Sequence, residues 1–76
     1  MTSIHDKVIL VFKTNVSRYR DAKKLLTCLL EQFPTHRVNF DLEDCDKILR
    51  IEGTQISYEA VVTILNKNNY QCLILE

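Results

Sequence analysis

VNFDLEDCDKILRIEG, residues 38–53, reads as two strands joined by a tight acidic turn. Val38, Phe40 and Leu42 alternate with Asn39, Asp41 and Glu43, the two-residue period of a strand with one buried and one wet face. Leu49 and Ile51 alternate in the same way with Ile48, Arg50 and Glu52. Asp44 and Asp46, on either side of Cys45, are short polar residues that favour a turn. Phe40 is expected on the inner face of this hairpin, which every other apolar segment needs as a packing surface.

Working outward, residues 7–13, KVILVFK, are apolar on both faces and read as a central strand. Ser17 is the expected N-cap of a helix, with Asp21 near its positive end. Ala22, Leu25, Leu26, Leu29 and Phe33 recur at helical spacing, and Pro34 ends the helix by pushing Phe33 out of helical geometry. After the hairpin, Ser57 caps a second helix, with Ile56 and Val61 as a hydrophobic staple. Val61, Ile64 and Leu65 form its apolar stripe. Asn68 or Asn69 stops it in a left-handed conformation. Residues 70–75, YQCLIL, are the last strand.

The order is strand, helix, strand, strand, helix, strand. Right-handed crossovers place each outer strand beside its partner. The expected product is an α+β fold, the ferredoxin-like βαββαβ sandwich. It has a four-stranded antiparallel sheet in the order 4-1-3-2 and two helices on one face. Residues 14–17, 44–46 and 68–70 then meet at one end. His5, His36, residues 53–55 and the C-terminus lie at the other.

With 76 residues, the chain has room for one small domain, spanning 1–76, with a thin stability margin. A composition that is 46% apolar with one Gly and one Pro argues against disorder. Zero net charge gives no global field for nucleic acid or anionic membrane, and no apolar run is long enough to span a bilayer. The start, MTSIHDK, lacks an apolar signal core. Cys28, Cys45 and Cys72 are odd in number and contain no CxxC, so reduced thiols in a cytoplasm are expected rather than disulfides or a zinc knuckle.

Element order and length resemble the heavy-metal-associated domain of copper chaperones and metal-pumping ATPases. The resemblance rests on the strand at Val38 to Leu42, the strand from Ile48 to Gly53, and Asn69-Tyr70 before the last strand. KTNV and NFDLEDCDKIL are also similar to runs in small bacterial proteins of this shape. The family binds soft metal through Met-x-Cys-x-x-Cys at the first strand–helix junction, where thiolates suit monovalent copper. Here that junction reads Thr14-Asn15-Val16-Ser17-Arg18-Tyr19-Arg20, without a thiol and with two cations. The family's ligands therefore carry over to no position, and no cofactor is expected.

Two charged clusters remain. Lys13, Arg18, Arg20, Lys23 and Lys24 against Asp21 sum to +4 around a helix start, where backbone N–H groups favour anions. Asn15, Ser17, Arg18 and Arg20 are thus a candidate anion or small-molecule site, although no Gly-rich cradle accompanies them and a solvated helix face is the commoner origin of such charges. Asp41, Glu43, Asp44 and Asp46 sum to −4 without calcium-loop spacing. Cys45, at the hairpin tip among acids, lacks the basic neighbours that activate a thiol, while Cys28 and Cys72 read as small buried hydrophobes. His5 and His36 alone are an incomplete zinc set. RNA recognition would need aromatics on the third strand, and residues 47–51 have none. The phosphate loop of acylphosphatases, which share the fold, is missing. No enzyme activity is expected.

The remaining function classes are an interaction module, with an unknown protein or itself as partner, and a soft-metal binder of copper or zinc using cysteines outside the family position. Helices cover one sheet face, so either Ile9 and Val11 or Val8, Leu10 and Phe12 must point away from them. Ile48 and one set from the last strand join whichever set is outward. A homodimer through that open face is favoured, with Ile48, Arg50, Asp44 and Asp46 as candidate contact residues. The competing expectation is that the stems of Lys7, Lys13, Arg50 and Glu52 lie across the patch and shield it.

Overall fold

The computed structural model describes residues 7–75, so His5 lies outside the described residues. The elements are β1 (Val8–Thr14), α1 (Tyr19–Gln32), β2 (Arg37–Asp41), β3 (Ile48–Gly53), α2 (Tyr58–Lys67) and β4 (Cys72–Leu75). The sheet runs β2-β3-β1-β4 with every neighbouring pair antiparallel, which is the expected order read from the other edge. No helix of the described residues is long and apolar enough to cross a membrane.

Register assigns the faces. Phe12 lies between Leu49 of β3 and Ile74 of β4, Leu10 opposite Ile51, and Thr14 opposite Cys72. Across the hairpin Phe40 faces Leu49 and Val38 faces Ile51. These apolar side chains form one cluster with Ala22, Leu25, Leu29 and Phe33 from the first helical segment and Val61 and Leu65 from α2. Both helices therefore pack on the same face. Phe12, Leu29, Leu49, Ile51, Val61 and Leu65 are completely buried. Each such side chain is worth about 1.5–3 kcal/mol relative to exposure.

Several local expectations are corrected. β2 ends at Asp41, so Leu42 is in the connection, yet its side chain is buried at the end of the core. The link is six residues, 42–47, not a tight turn at 44–46. It is tied by Glu43 N–H donating to Asp41 Oδ1 (3.3 Å) and Asp46 N–H to Asp44 Oδ1 (2.9 Å). Lys47 closes it at a φ of 49°, in the left-handed region. The strain is offset because its N–H donates to Asp44 O (2.9 Å) and its Nζ to Leu42 O (2.9 Å).

Helix α1 begins one residue later than its capping pattern suggests. Arg18, not Ser17, holds the N-cap position, and its side chain makes no capping bond. Val16 is completely buried just upstream, and drawing it into the core shifts the point at which the chain can turn helical. Helix α2 starts as read: Ser57 Oγ accepts from Ala60 N–H at 3.3 Å. At its end Asn69 takes the left-handed conformation (φ 70°). Asn68 instead donates its side-chain amide to Ile64 O (2.7 Å). β4 starts at Cys72 because Gln71 N–H is committed to Asn15 Oδ1 (2.8 Å), away from the sheet ladder.

Gly53 ends β3 against His36. A Cβ there would overlap the imidazole, lying 2.7 Å from its Cγ. The ring is held by Nε2 at 2.9 Å from Thr54 O and by tilted packing on Phe33. This bond joins the segment before β2 to the segment after β3 at the end opposite the acidic turn.

Phe40 is on the inner face as expected, but only half-buried, so its loss is milder than that of a closed core residue. Phe12→Ala is expected to cost about 3–5 kcal/mol and leave little folded protein, whereas Phe40→Ala keeps a cooperative melt at a lower temperature. Gly53→Ala is expected to cost about 1–3 kcal/mol by expelling the His36 ring. Chemical denaturation of the three variants ranks them. A Phe40→Ala loss equal to that of Phe12→Ala would contradict the assigned burial.

Candidate functional site

The β1–α1 junction, where the metal-associated family places its ligands, is a clamp between loops. Thr14 is buried and its Oγ1 donates to Lys47 O at 2.6 Å while accepting from Val16 N–H at 3.2 Å. Thr14 N–H donates to Asp46 O at 3.1 Å. Asn15 Oδ1 accepts from Gln71 N–H. The loop at residues 14–17 is thereby joined to the expected loops at 44–46 and 68–70, through Asp46 and the adjoining Lys47 and Gln71. Of the proposed anion set, Asn15 has its carbonyl committed to the backbone, Ser17 is exposed beyond the helix start, and Arg18 and Arg20 are exposed.

At the acidic tip, one ligand atom each from Asp44, Cys45 and Asp46 lies within 4.8 Å of the others. These groups already have work in the turn: Asp44 accepts from Asp46 N–H, and Asp46 lies 3.8 Å from Lys13 Nζ. That ion pair is the point at which the basic and acidic clusters meet. Both partners are substantially exposed, so it contributes under about 1 kcal/mol.

The helix-free face resolves the question left open above. Register puts Ile9, Val11 and Lys13 of β1 there. Opposite them are Glu52, Arg50 and Ile48 of β3 on one side, and Leu75 and Leu73 of β4, facing Val11 and Lys13, on the other. β2 adds Arg37, Asn39 and Asp41. The face is divided. Its β2–β3 half is charged, and its β1–β4 half carries Ile9 (57% exposed), Leu73 (66%) and Leu75 (39%), with half-buried Val11 between them. The exposure of Ile9, Leu73 and Leu75 shows that the stems of Lys7, Lys13, Arg50 and Glu52 do not shield this part of the face; Lys7 Nζ lies 3.5 Å from Glu52 and Lys13 Nζ 3.8 Å from Asp46.

Of the candidate contact residues, Ile48, Arg50 and Asp44 line one depression of about 180 Å³ with Val11, Asn39 and Asp41, while Asp46 turns to Lys13. Leu73, Leu75 and Ile9 are the more exposed apolar groups. Their alternation was visible in the sequence, but their face was not.

The thiols differ in setting. Cys45 is exposed, Cys28 is half-buried, and Cys72 is buried. Cys28 lines an open groove of about 410 Å³ with Asp21, Lys24, Leu25, Thr27, Asn68 and Tyr70. There the Tyr70 phenol is held protonated above its usual range, first by hydrogen bonding toward Asp21 and then by burial. Burial pushes the Cys72 thiol up to about 12.

No protein-family model, curated protein or solved structure matches this chain.

Two outcomes follow from this geometry. Thr14→Val keeps the shape but strands the Val16 N–H and Lys47 O, and should cost about 1–3 kcal/mol in denaturant melts, with Thr14→Ser recovering part of it. Alkylation at pH 8 should label Cys45 first and Cys72 only on unfolding. Because Cys72 titrates near 9.0 when unfolded and about 12 when folded, its contribution to stability is complete below pH 9 and falls as pH rises from 9 toward 12. Rapid labelling of Cys72 in folded protein would contradict its burial.

Proposed function

We propose that this chain is a small, non-catalytic interaction module that associates with a second copy of itself through the β1–β4 side of its open sheet face. In this reading its arrangement is the ferredoxin-like sandwich of the metal-associated family, without the family's metal motif. The absence of thiols from the β1–α1 junction supports that loss, as does the clamp at Thr14, Asn15 and Val16 that takes up the loop's polar groups. Reduced thiols at Cys28, Cys45 and Cys72 in a cytoplasmic setting belong to the same reading.

One observation carries the self-association. Ile9, Leu73 and Leu75 are exposed side by side around Val11, on a face that no helix of the described residues covers. Exposed apolar residues scattered singly are ordinary, whereas a contiguous group marks a contact surface. A domain this small has little stability to spare for leaving such a group in water. An isologous contact also lets one patch bury itself against its own copy without a second protein.

Sedimentation equilibrium across a wide concentration range is the test. The parent is expected to rise from monomer toward dimer mass, Leu73→Lys to remain monomeric, and the double change Arg18→Ser with Arg20→Ser to leave the equilibrium in place. A parent that stays monomeric at high concentration and moderate salt overturns the reading. Dissociation by the arginine changes alone would move the contact to the β1–α1 junction.

A further inference from the structure

The two edges of the sheet are built differently. β2 presents Arg37, Asn39 and Asp41 on the open face and is preceded by Pro34, the kind of charged edge that discourages strand addition. β4 reads Cys72-Leu73-Ile74-Leu75, with no charge and no proline. Its most exposed residue, Leu73, is apolar and stands at the margin of the open face. Stacking of two open faces would cover this residue from above. A strand added in the plane of the sheet would cover it from the side, and would also satisfy the edge's outward backbone groups.

The hydrogen-bond alternation of an antiparallel sheet sets which groups those are. Thr14 N–H points to the β3 side, where it meets Asp46 O. Its neighbour Lys13 therefore turns its backbone groups toward β4, and Leu73, opposite Lys13, turns its own back toward β1. Leu75 does the same opposite Val11. Cys72 and Ile74 are left directing N–H and C=O outward. A two-fold axis relating antiparallel strands passes through a pair of identical residues; through Ile74 it joins outward groups that are unpaired among the described residues and sets Leu73 against Leu75, whereas through Leu73 it would leave Leu75 facing Gln71.

Resting on the self-association proposed above, we infer that the copies join by antiparallel pairing of β4 with β4 of the second copy, the two-fold axis passing through Ile74. The product is one eight-stranded sheet. Ile74 exchanges two backbone hydrogen bonds with its counterpart. Leu73 of each copy stands opposite Leu75 of the other at a non-hydrogen-bonded position, where paired side chains approach most closely. The apolar margins of the two open faces become continuous, and no like charges meet along the seam. Pairing through β2 would instead bring Arg37 to Asp41 of the second copy and cover no apolar side chain on that face.

Cross-linking tests this register. In a background carrying Cys28→Ser and Cys45→Ser, equal amounts of Leu73→Cys and Leu75→Cys proteins are mixed and oxidised gently. Opposed residues in such a pair are within disulfide reach, whereas the two copies of Leu73, or of Leu75, stand two positions out of register and are not. Both positions are exposed, and circular dichroism checks that each variant folds. The expected result is a several-fold excess of the mixed disulfide over either homodimer, together with slowed amide exchange at Ile74 as concentration rises. Leu73→Cys homodimers in excess would overturn the register. No cross-link preference, in a protein that dimerises but is dissociated by Ile48→Lys, would overturn edge pairing in favour of face stacking and leave the self-association standing. A dimer that salt dissociates and Arg37→Ser abolishes would place the seam at β2. A monomer by sedimentation removes both readings.

Discussion

β1 is apolar on both faces, and the fold supplies helices for only one. That mismatch organises the molecule. Phe12 at its centre is closed over by β3, β4 and the helical layer, and the core is built around it. On the other face Ile9, and Leu73 opposite Lys13, meet water. A central strand in a two-layer α+β arrangement ordinarily resolves this by alternating apolar and polar residues. Here Lys13 alone on that face of β1 is polar, and the edge strand beside it adds two leucines. The surplus apolar surface is therefore concentrated at one side of the sheet.

The end of the molecule where a metal-associated domain holds its ion is occupied by structure. Thr14 links β1 to the hairpin turn and to its own loop, and Asn15 fastens the start of β4. A hydroxyl that both donates and accepts within a buried site fixes three chain segments with one side chain. The same positions that would need mobility to admit and release an ion are tied to the backbone of two other loops. The exposed apolar group of this chain lies on the sheet, away from that loop.

Element types and order were legible because each segment obeys a clear period: two across the hairpin, helical spacing in α1 and α2, and side-chain capping at Ser57. Less was legible where tertiary contacts override local signals. Ser17 looks like a cap, but the burial of Val16 moves the helix start to the residue after it. Leu42 fits the alternation of β2, yet it enters the core from the turn, helped by a left-handed Lys47 that no glycine announces. The faces of β1 and β4 were undetermined because both alternating sets are apolar; only the register against β3, whose partners Arg50 and Glu52 must face water, decides between them. Thr14 gave no signal at all as a clamp, since a threonine at a strand end is commonplace.

The β1–β4 side of the open face is the proposed contact surface. Methyl NMR on a dilution series addresses it residue by residue. Concentration-dependent shifts are expected at Leu73 and Leu75, smaller ones at Val11 and Ile9, and none at Leu25, Leu29 or Leu65 in the closed core. Methyl signals of Leu73 and Leu75 that stay fixed over the whole series would contradict it.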